Sequence, residues 1–170
     1  MRALIMTGKL VQDHEYVYPY YRLQEAGYEV DVAVRGGDIV YGILGTKVVP
    51  NKDVEDVRVK DYALLVLPGG AKAMEYMRQD EGVIRFVKDA YDAGIVIASI
   101  CHAAQLLISA RVVEGKKVSG YYSIKDDINN AGATYVDASV VVDEGIVSSP
   151  HYKYLGAWMG RVLEEVKAWQ

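Results

Sequence analysis

The sequence predicts an α/β fold in which a mostly parallel sheet lies between two layers of helices. The segments ALLVL and IVIA, residues 63–67 and 95–98, are apolar at every position, which is typical of strands that are buried on both faces. Amphipathic segments separate such runs along the chain, and strands that alternate with helices favour a parallel sheet. At this length we expect a single domain, residues 1–170.

The chain begins with a predicted strand and helix. Residues 2–7, RALIMT, form a short apolar run that predicts a buried strand. Residues 15–27 predict a helix that ends at Gly27, and Pro19 is tolerable if it lies in the first turn. The inner face of this helix is expected to comprise Tyr18, Leu23 and Ala26.

The next elements follow the same alternation. Residues 28–36 alternate as a strand does, and residues 42–51, GILGTKVVPN, predict a hairpin or edge strands. Residues 62–70, YALLVLPGG, predict a strand that ends in a Pro-Gly-Gly turn. A helix is expected from about Asp80 to Ala93.

The second half of the chain predicts another strand that enters a helix without a gap. Residues 94–100 form the strand and residues 102–110 the helix. Residues 134–149 predict two strands around the turn at 143–145, and residues 152–169 predict a closing amphipathic helix. These elements complete the expected layers of the fold.

Four loops are expected to meet at one edge of the sheet. They are residues 8–15, residues 68–73, Cys101, and residues 150–154, and each follows the carboxyl end of a predicted strand. Ligands of open α/β sheets bind beyond these strand ends. The sequence therefore places its candidate functional groups together.

Composition excludes several classes of protein. The formal charge of -4, with scattered Lys and Arg, argues against a nucleic-acid surface. No apolar run approaches the ~18 residues of a membrane span, and the start MRALIMTGKL is too short for a signal-peptide core. One cysteine cannot form an internal disulfide, so we expect a cytoplasmic protein. The chain has 14 Tyr and 1 Phe, and half-buried tyrosines are a weak indication of a homo-oligomer.

Cys101 is the candidate nucleophile. It lies where a strand turns abruptly into a helix, as in a nucleophile elbow. The helix N-terminus and its N–H groups stabilise a thiolate, so we expect a thiol pKa below the ordinary value. The alternative is a small buried core residue, which is the usual role of a free cysteine.

The neighbours of Cys101 suggest a base and an oxyanion hole. His102 is a candidate base, although adjacent residues of a regular helix do not face each other. Gly69 and Gly70 allow the backbone to approach a ligand closely, and their N–H groups can hold an oxyanion. Pro-Gly-Gly is also simply a good turn.

The remaining titratable candidates have simpler explanations. Glu15 and Glu75 are the acidic candidates, and Glu15 is expected to line the pocket. The simpler explanation of Glu15 is that it begins a helix, where the dipole favours a carboxylate, and that of Glu75 is a solvated surface residue. A metal site of His14, His151 and Cys101 lacks ligand-like local spacing, so we expect neither a metal nor a cofactor.

Several segments together resemble the ThiJ/PfpI superfamily, and most closely its short PfpI intracellular-protease branch. They are YPYYRLQEAGYEV, YALLVLPGG, VIASICHAAQLLISA, IKDDINNAGATYVD and VVVDEGIVSS. The resemblance covers essentially the whole chain. It implies a flavodoxin-like three-layer α/β sandwich around a mostly parallel sheet, a reactive cysteine on a strained elbow, and assembly into dimers or hexamers.

The resemblance also implies roles for individual residues. Cys101 corresponds to the family nucleophile and His102 to the histidine after it. Gly70 and the N–H of His102 correspond to the oxyanion hole. Glu75 resembles the glutamate that one subunit offers to the Cys-His pair of its neighbour, and Tyr121 resembles an aromatic residue of the same pocket.

Two positions depart from the family pattern. Counted from YPYYRL, the first-loop glutamate that bonds to the cysteine falls at Gln12, which cannot exchange a proton. This puts in doubt reactions that need an acid or base there, such as the glyoxalase-type hydration of methylglyoxal. Ala103 stands where the branch usually has glycine, which narrows the turn after the elbow.

The first functional hypothesis is a cysteine-dependent hydrolase of the peptidase type, which acts on a peptide or a small molecule and is weakened by Gln12. The alternatives are a redox sensor or stress protein with an oxidisable Cys101, and a glyoxalase or deglycase that acts on small dicarbonyl adducts. The last is a flavodoxin-like scaffold with an inert cysteine. Fold alone does not decide among them.

Overall fold

A seven-stranded sheet forms the centre of the structure, a computed structural model that describes residues 1–169. The strands of the described residues are β1 Arg2–Met6, β2 Glu29–Val34, β3 Val40–Tyr41, β4 Lys47–Val48, β5 Lys52–Asp53, β6 Leu64–Leu67, β7 Val96–Ile100, β8 Lys117–Val118, β9 Thr134–Tyr135, β10 Val141–Asp143 and β11 Ile146–Ser149. The α-helices are α1 Asp13–Glu25, α2 Ala71–Met77, α3 Glu81–Asp92, α4 Ala104–Ser109, α5 Lys125–Asn130 and α6 Leu155–Trp169.

The main sheet has the order β10-β11-β7-β6-β1-β2-β5. All neighbouring strands in it are parallel except β10 and β11, which form an antiparallel hairpin. Helices α1 and α6 contribute to one apolar cluster, and α2 to α5 contribute to the other. The prediction of a mostly parallel sheet between two helical layers is therefore confirmed.

The central strands are buried on both faces, as their composition predicts. Every residue of β6 is 0% exposed. Leu65 and Leu67 pack toward α2 to α5, whereas Leu64 and Val66 pack toward α1 and α6. Burying one such side chain contributes roughly 1.5–3 kcal/mol. The apolar run ALLVL therefore contributes to both apolar clusters and joins the two helical layers through the sheet.

Helix α1 begins two residues earlier than the sequence predicts, because Gln12 caps it. Pro19 therefore lies inside the helix and not in its first turn. The buried face of α1 also differs from the one that the sequence predicts. Leu23 is buried as expected, but Tyr18 is 38% exposed and Ala26 is exposed at the helix end. The inner side is formed instead by Glu15, Tyr16, Pro19 and Leu23.

The hairpin predicted for residues 42–51 is formed by β3 and β4, although β3 lies just before that range, and residues 134–149 contain three strands, β9 to β11, where two were predicted. Strands β3 and β4 pair antiparallel, and β5 extends the main sheet beside β2. The turn between β10 and β11 contains Glu144 and Gly145, both with positive φ. The predicted closing helix starts with a short 3₁₀ turn, Tyr152–Tyr154, before α6. Within residues 1–169, no helix is long and apolar enough to cross a membrane.

The four expected loops lie at one edge of the sheet. The registers place Leu67 beside Ser99, and Ile100 beside Ser149. The chain therefore leaves β6, β7 and β11 at neighbouring points, and β1 ends next to β6. Gly69, Cys101 and the loop after β1 are brought together at these carboxyl ends.

Candidate active site

The Cys101 backbone forms a sharp elbow between β7 and a 3₁₀ turn, Cys101–Ala103. Its φ of 60° lies in the left-handed region, which costs roughly 1–3 kcal/mol for a residue other than glycine. The Cys101 carbonyl accepts a hydrogen bond from the Tyr121 N–H at 3.0 Å. A Cβ at Gly120 would lie 2.8 Å from Ile128 Cδ1 and 3.0 Å from Ala104 Cβ, so the segment before Tyr121 packs closely against α4 and α5.

Two backbone N–H groups surround the Cys101 sulfur. The N–H groups of Gly70 and His102 lie close enough to the sulfur to favour its thiolate form. Gly70 has a φ of 107°, and a Cβ there would lie 2.7 Å from the Gln12 nitrogen. The glycine is therefore required for the turn that aims its N–H at the sulfur. The two donors are placed as an oxyanion hole requires.

The Glu15 carboxyl lies beside the same sulfur. Glu15 is 0% exposed, and its Oε1 accepts a hydrogen bond from the Gly69 N–H at 2.8 Å. A Cβ at Gly69 would lie 2.7 Å from that oxygen. Oε2 is buried and has no hydrogen-bond partner among residues 1–169. The Cys101 thiol is the polar side chain that interacts with this carboxyl.

Burial dominates the electrostatics of this pair. It raises the pKa of Glu15 to about 8, while the Gly69 N–H and the Cys101 thiol act in the opposite direction. Burial and the negative charge of Glu15 also raise the pKa of Cys101, although the two N–H groups oppose this. The predicted lowering of the thiol pKa is therefore wrong. A thiol that is 6% exposed beside a buried carboxyl resists forming a second negative charge.

His102 reaches the sulfur within its own chain. Its Nδ1 lies 3.4 Å from Cys101 Sγ. The sequence argument that adjacent residues do not face each other assumes a regular helix, and the left-handed elbow removes that restriction. Burial lowers the pKa of His102, so the ring is neutral near pH 7. The ring also stacks on Tyr121 at a centroid distance of 4.7 Å, which places Tyr121 in the pocket as the resemblance implies.

Gln12 does not occupy the position expected for the acidic group. Its Oε1 accepts a hydrogen bond from the Glu15 N–H at 3.1 Å, and its Nε2 contacts His14 Nδ1 at 2.9 Å. Gln12 thus caps α1, and the first-turn residue Glu15 carries the carboxyl to Cys101. The assignment from spacing is wrong because Gln12 is the N-cap of α1, and the carboxyl that interacts with Cys101 belongs to Glu15, three residues further along the chain. Glu15 therefore supplies an acid–base group beside the cysteine, and Gln12 gives no reason to doubt acid–base chemistry there.

Glu75 lies away from the sulfur in its own chain. It is exposed and forms an ion pair with Lys72 at 2.9 Å. It nevertheless lines an open hollow of about 550 Å³ together with His102 and Gln105. Among residues 1–169, no hydrogen bond or ion pair joins Glu75 to His102.

Aromatic rings form the rim of the pocket. The His151 ring is tilted against Tyr152, with 4.2 Å between centroids, and stacks on Tyr121 at 6.2 Å, and the His14 ring stacks on Tyr152 at 5.1 Å. These histidines contact rings, and within the described part of the chain no group of three or more His, Cys, Asp or Glu side chains could hold a metal ion. The rim is suited to contact with the planar or apolar part of a substrate.

A buried carboxylate that the sequence argument missed supports the rim loop. Asp13 is 4% exposed, and its two oxygens accept the Leu44 N–H at 3.0 and 2.9 Å. This contact ties the β3–β4 hairpin to the start of α1. Glu15 was predicted to line the pocket, but not to be the carboxyl partner of Cys101. The usable signal was an acidic residue in the first turn of a helix that begins at the rim of the sheet.

The chain belongs to the DJ-1/PfpI family, whose characteristic sequence pattern matches residues 1–165. It is similar to a deglycase of Pyrococcus abyssi, with 41% identity over 167 residues, 98% of this chain and 100% of the relative. It is also similar to deglycase PfpI of Pyrococcus furiosus, with 37% identity over 167 residues and the same coverage of both chains. The resemblance to ThiJ/PfpI proteins is therefore confirmed.

A solved structure shows the same fold. The chain superposes on a two-domain protein from Anabaena variabilis, which contains DJ-1/ThiJ/PfpI-like and ferritin-like domains, with a TM-score of 0.94 and 29% identity. The match covers 98% of this chain and 48% of that protein, so this chain spans about half its length. The flavodoxin-like α/β architecture is confirmed.

Proposed function

We propose that this chain is a cysteine-dependent enzyme that acts on small dicarbonyl compounds or on their adducts with amines, as a glyoxalase or deglycase. Cys101 is the nucleophile, and Glu15 is the group that accepts and returns protons. Two relatives at 41% and 37% identity are named deglycases, and this supports the choice among the activities that a cysteine elbow can serve.

The observation that carries the proposal is the buried pair of Glu15 and Cys101. Peptide hydrolysis needs a nucleophile, a base and an oxyanion hole. Conversion of a dicarbonyl also requires a proton to move between two adjacent carbon atoms, which needs an acid–base group beside the sulfur. A carboxyl whose pKa is raised to about 8 exchanges protons near neutral pH, and Glu15 is in contact with the thiol.

The chemistry follows from these positions. The Glu15 carboxylate takes the thiol proton as the Cys101 sulfur attacks the aldehyde carbon, so that a C–S bond forms. The carbonyl oxygen becomes an oxyanion next to the N–H groups of Gly70 and His102. Glu15 then returns the thiol proton to this oxygen, which gives a hemithioacetal and restores the carboxylate. With methylglyoxal, the Glu15 carboxylate takes the proton of the former aldehyde carbon and delivers it to the neighbouring carbon, while the hydroxyl proton passes to the neighbouring oxygen, and the product is a thioester. Water then releases lactate and restores the thiol.

Turnover of methylglyoxal to lactate tests the proposal. We expect Cys101→Ala to have no activity, and Glu15→Gln to lose about a hundredfold or more because it cannot exchange a proton. Glu25→Gln is the matched control, since Glu25 lies on the same helix but its side chain is 77% exposed. Wild-type activity in Glu15→Gln would contradict the role of Glu15. Turnover that survives in Cys101→Ala would exclude the nucleophile.

Peptide hydrolysis is a second candidate, and the contact between His102 and Cys101 favours it. His102 Nδ1 lies 3.4 Å from the sulfur, and the ring is neutral near pH 7 because burial lowers its pKa. It could therefore take the thiol proton in place of Glu15. Under this hypothesis, His102→Ala abolishes peptide cleavage while Glu15→Gln retains it. The opposite pattern on methylglyoxal would separate the two activities.

We also propose that the chain works as a homo-oligomer, a dimer or a larger assembly, in which Glu75 of one subunit approaches His102 of another. Glu75 and His102 line the same open hollow, and the Glu75 partner in its own chain is an exposed lysine. Glu75→Gln is then expected to reduce activity without changing the unfolding midpoint. Sedimentation of a monomer that is fully active would contradict this proposal.

A further inference from the structure

A second cavity lies at the carboxyl ends of β1 and β2, and it is separate from the pocket of Cys101. Its volume is about 260 Å³, and its lining includes Thr7, Lys9, Val40, Tyr76, Met77 and Val83. Cys101, Glu15 and His102 do not line it. Ligand pockets usually begin near 300 Å³, so this cavity suits a ligand of only a few heavy atoms.

One polar pair in the lining is already fully engaged. Arg35 donates from Nε to Asp80 Oδ2 at 2.7 Å and also pairs with Glu55 at 3.1 Å. Asp80 caps α3 by accepting the N–H groups of Gly82 and Val83. The Arg35 guanidinium lowers the pKa of Asp80, so this pair stays ionised, and Glu55 and Asp53 share the same positive charge. Neither group has capacity left for a charged ligand.

Two other polar groups in the lining lack such partners. Lys9 is exposed, and its ammonium lies over the Tyr76 ring, 4.0 Å from the centroid. None of the ion pairs found among residues 1–169 includes Lys9. The Thr7 hydroxyl is buried, with the residue 2% exposed, and it has no hydrogen-bond partner among those residues. Buried hydroxyls are almost always satisfied, so a missing partner at the wall of a cavity indicates a ligand.

The other walls are apolar. Val40, Met77 and Val83 face the space between the sheet edge and helices α2 and α3, and the latter two are at most 5% exposed. A ligand must therefore combine one anionic group with a short hydrocarbon part. A phosphate is too highly charged for a site with a single unpaired cation, whereas a carboxylate matches it.

We propose that this cavity binds a short-chain carboxylate. The carboxylate pairs with the Lys9 ammonium and accepts the Thr7 hydroxyl, and the hydrocarbon part packs on Val40, Met77 and Val83. This site is independent of the proposed dicarbonyl chemistry, because its lining contains none of the groups that act there.

Amide chemical shifts measured during a titration with butyrate test the site. We expect saturable shifts at Gly8, Lys9 and Val40, and a much weaker effect of butyramide, which has the same shape without the charge. Lys9→Met is expected to weaken butyrate binding about tenfold or more, because a charge-assisted hydrogen bond is lost. Lys60→Met, at an exposed lysine outside the cavity, is the control and should bind as the wild type does.

Thr7→Val gives a second measurement, since valine has nearly the shape of threonine. It should weaken butyrate binding without loss of folding, because no protein group depends on the hydroxyl. Cys101→Ala should bind butyrate normally, even if the proposed enzyme activity proves wrong. Equal binding of butyrate and butyramide, wild-type binding by Lys9→Met, shifts centred on Cys101, or no saturable shift at tens of millimolar would each overturn the proposal.

Discussion

Replacing Glu15 with Gln is expected to stabilise the protein near neutral pH while removing its activity. Burial raises the pKa of Glu15 from 4.5 to about 8. Each pKa unit corresponds to about 1.4 kcal/mol, so ionisation of this buried carboxyl is disfavoured by roughly 5 kcal/mol. Gln is neutral at all pH values. Its oxygen can still accept the Gly69 N–H, and its amide group can take the place of the unpartnered Oε2.

The sign of the effect depends on pH. Below the unfolded pKa of Glu15, both states of the wild type hold the proton, and the substitution changes little. Above it the unfolded chain ionises while the folded protein stays protonated, so wild-type stability falls as pH rises toward about 8. The stability advantage of Glu15→Gln should therefore grow from near zero at about pH 4 to roughly 3 kcal/mol at about pH 7.

Urea unfolding at several pH values measures this difference. The fluorescence of Trp158, which is 0% exposed, reports the transition. Glu25→Gln on the same helix is the control and should show a small and pH-independent change, because its side chain is 77% exposed. Repeating the comparison in Cys101→Ala removes the thiol as a cause. An advantage of Glu15→Gln that is the same at about pH 4 and about pH 7 would refute the reasoning.

Three further predictions concern the site itself. Gly70→Ala places a Cβ 2.7 Å from the Gln12 nitrogen at a φ of 107°, so kcat should fall about a hundredfold or more and the urea midpoint should drop. Gly45→Ala, with a φ of 98° and open space around it, is the control and should affect stability alone. Gln12→Glu should not raise methylglyoxal turnover, because Glu15 already supplies the carboxyl; a clear gain would return the proton-transfer role to position 12. With methylglyoxal, kcat/KM should rise with pH toward about 8 as Glu15 ionises, and a flat profile across that range would argue against Glu15 as the base.

The layers of the fold could be predicted because the central strands have a single environment. The strands Leu64–Leu67 and Val96–Ile100 are buried on both faces. A sheet covered by helices on both sides removes this apolar surface from water. The position of Cys101 between such a strand and a helix also predicted the elbow. Its φ of 60° is what this abrupt turn requires.

The details of the pocket depended on where one helix starts. The sequence predicted that α1 begins at residue 15. Gln12 was therefore expected in a loop, and the carboxylate of Glu15 was explained by the dipole of the helix. The cap at Gln12 begins the helix at Asp13 and directs Glu15 inward. Local sequence does not determine this, because the side chain of Glu15 is held by Gly69, 54 positions along the chain.

The prediction of a lowered pKa for Cys101 was wrong for a related reason. A helix N-terminus and two N–H groups favour the thiolate, as the sequence predicted. Burial and the neighbouring carboxyl oppose them and dominate. Neither factor is visible until the chain is folded, since both depend on which groups cover the sulfur.

The rate at which iodoacetamide alkylates Cys101, measured against pH in the wild type and in Glu15→Gln, tests the coupled pair most directly. Cys101 is the one cysteine of the chain, so the modified residue is unambiguous. The negative charge of Glu15 is one cause of the raised thiol pKa, so the midpoint of the alkylation curve should move to lower pH in Glu15→Gln. A midpoint that stays in place or moves to higher pH would mean that the carboxyl and the thiol do not share their proton, and the proposed role of Glu15 would be wrong.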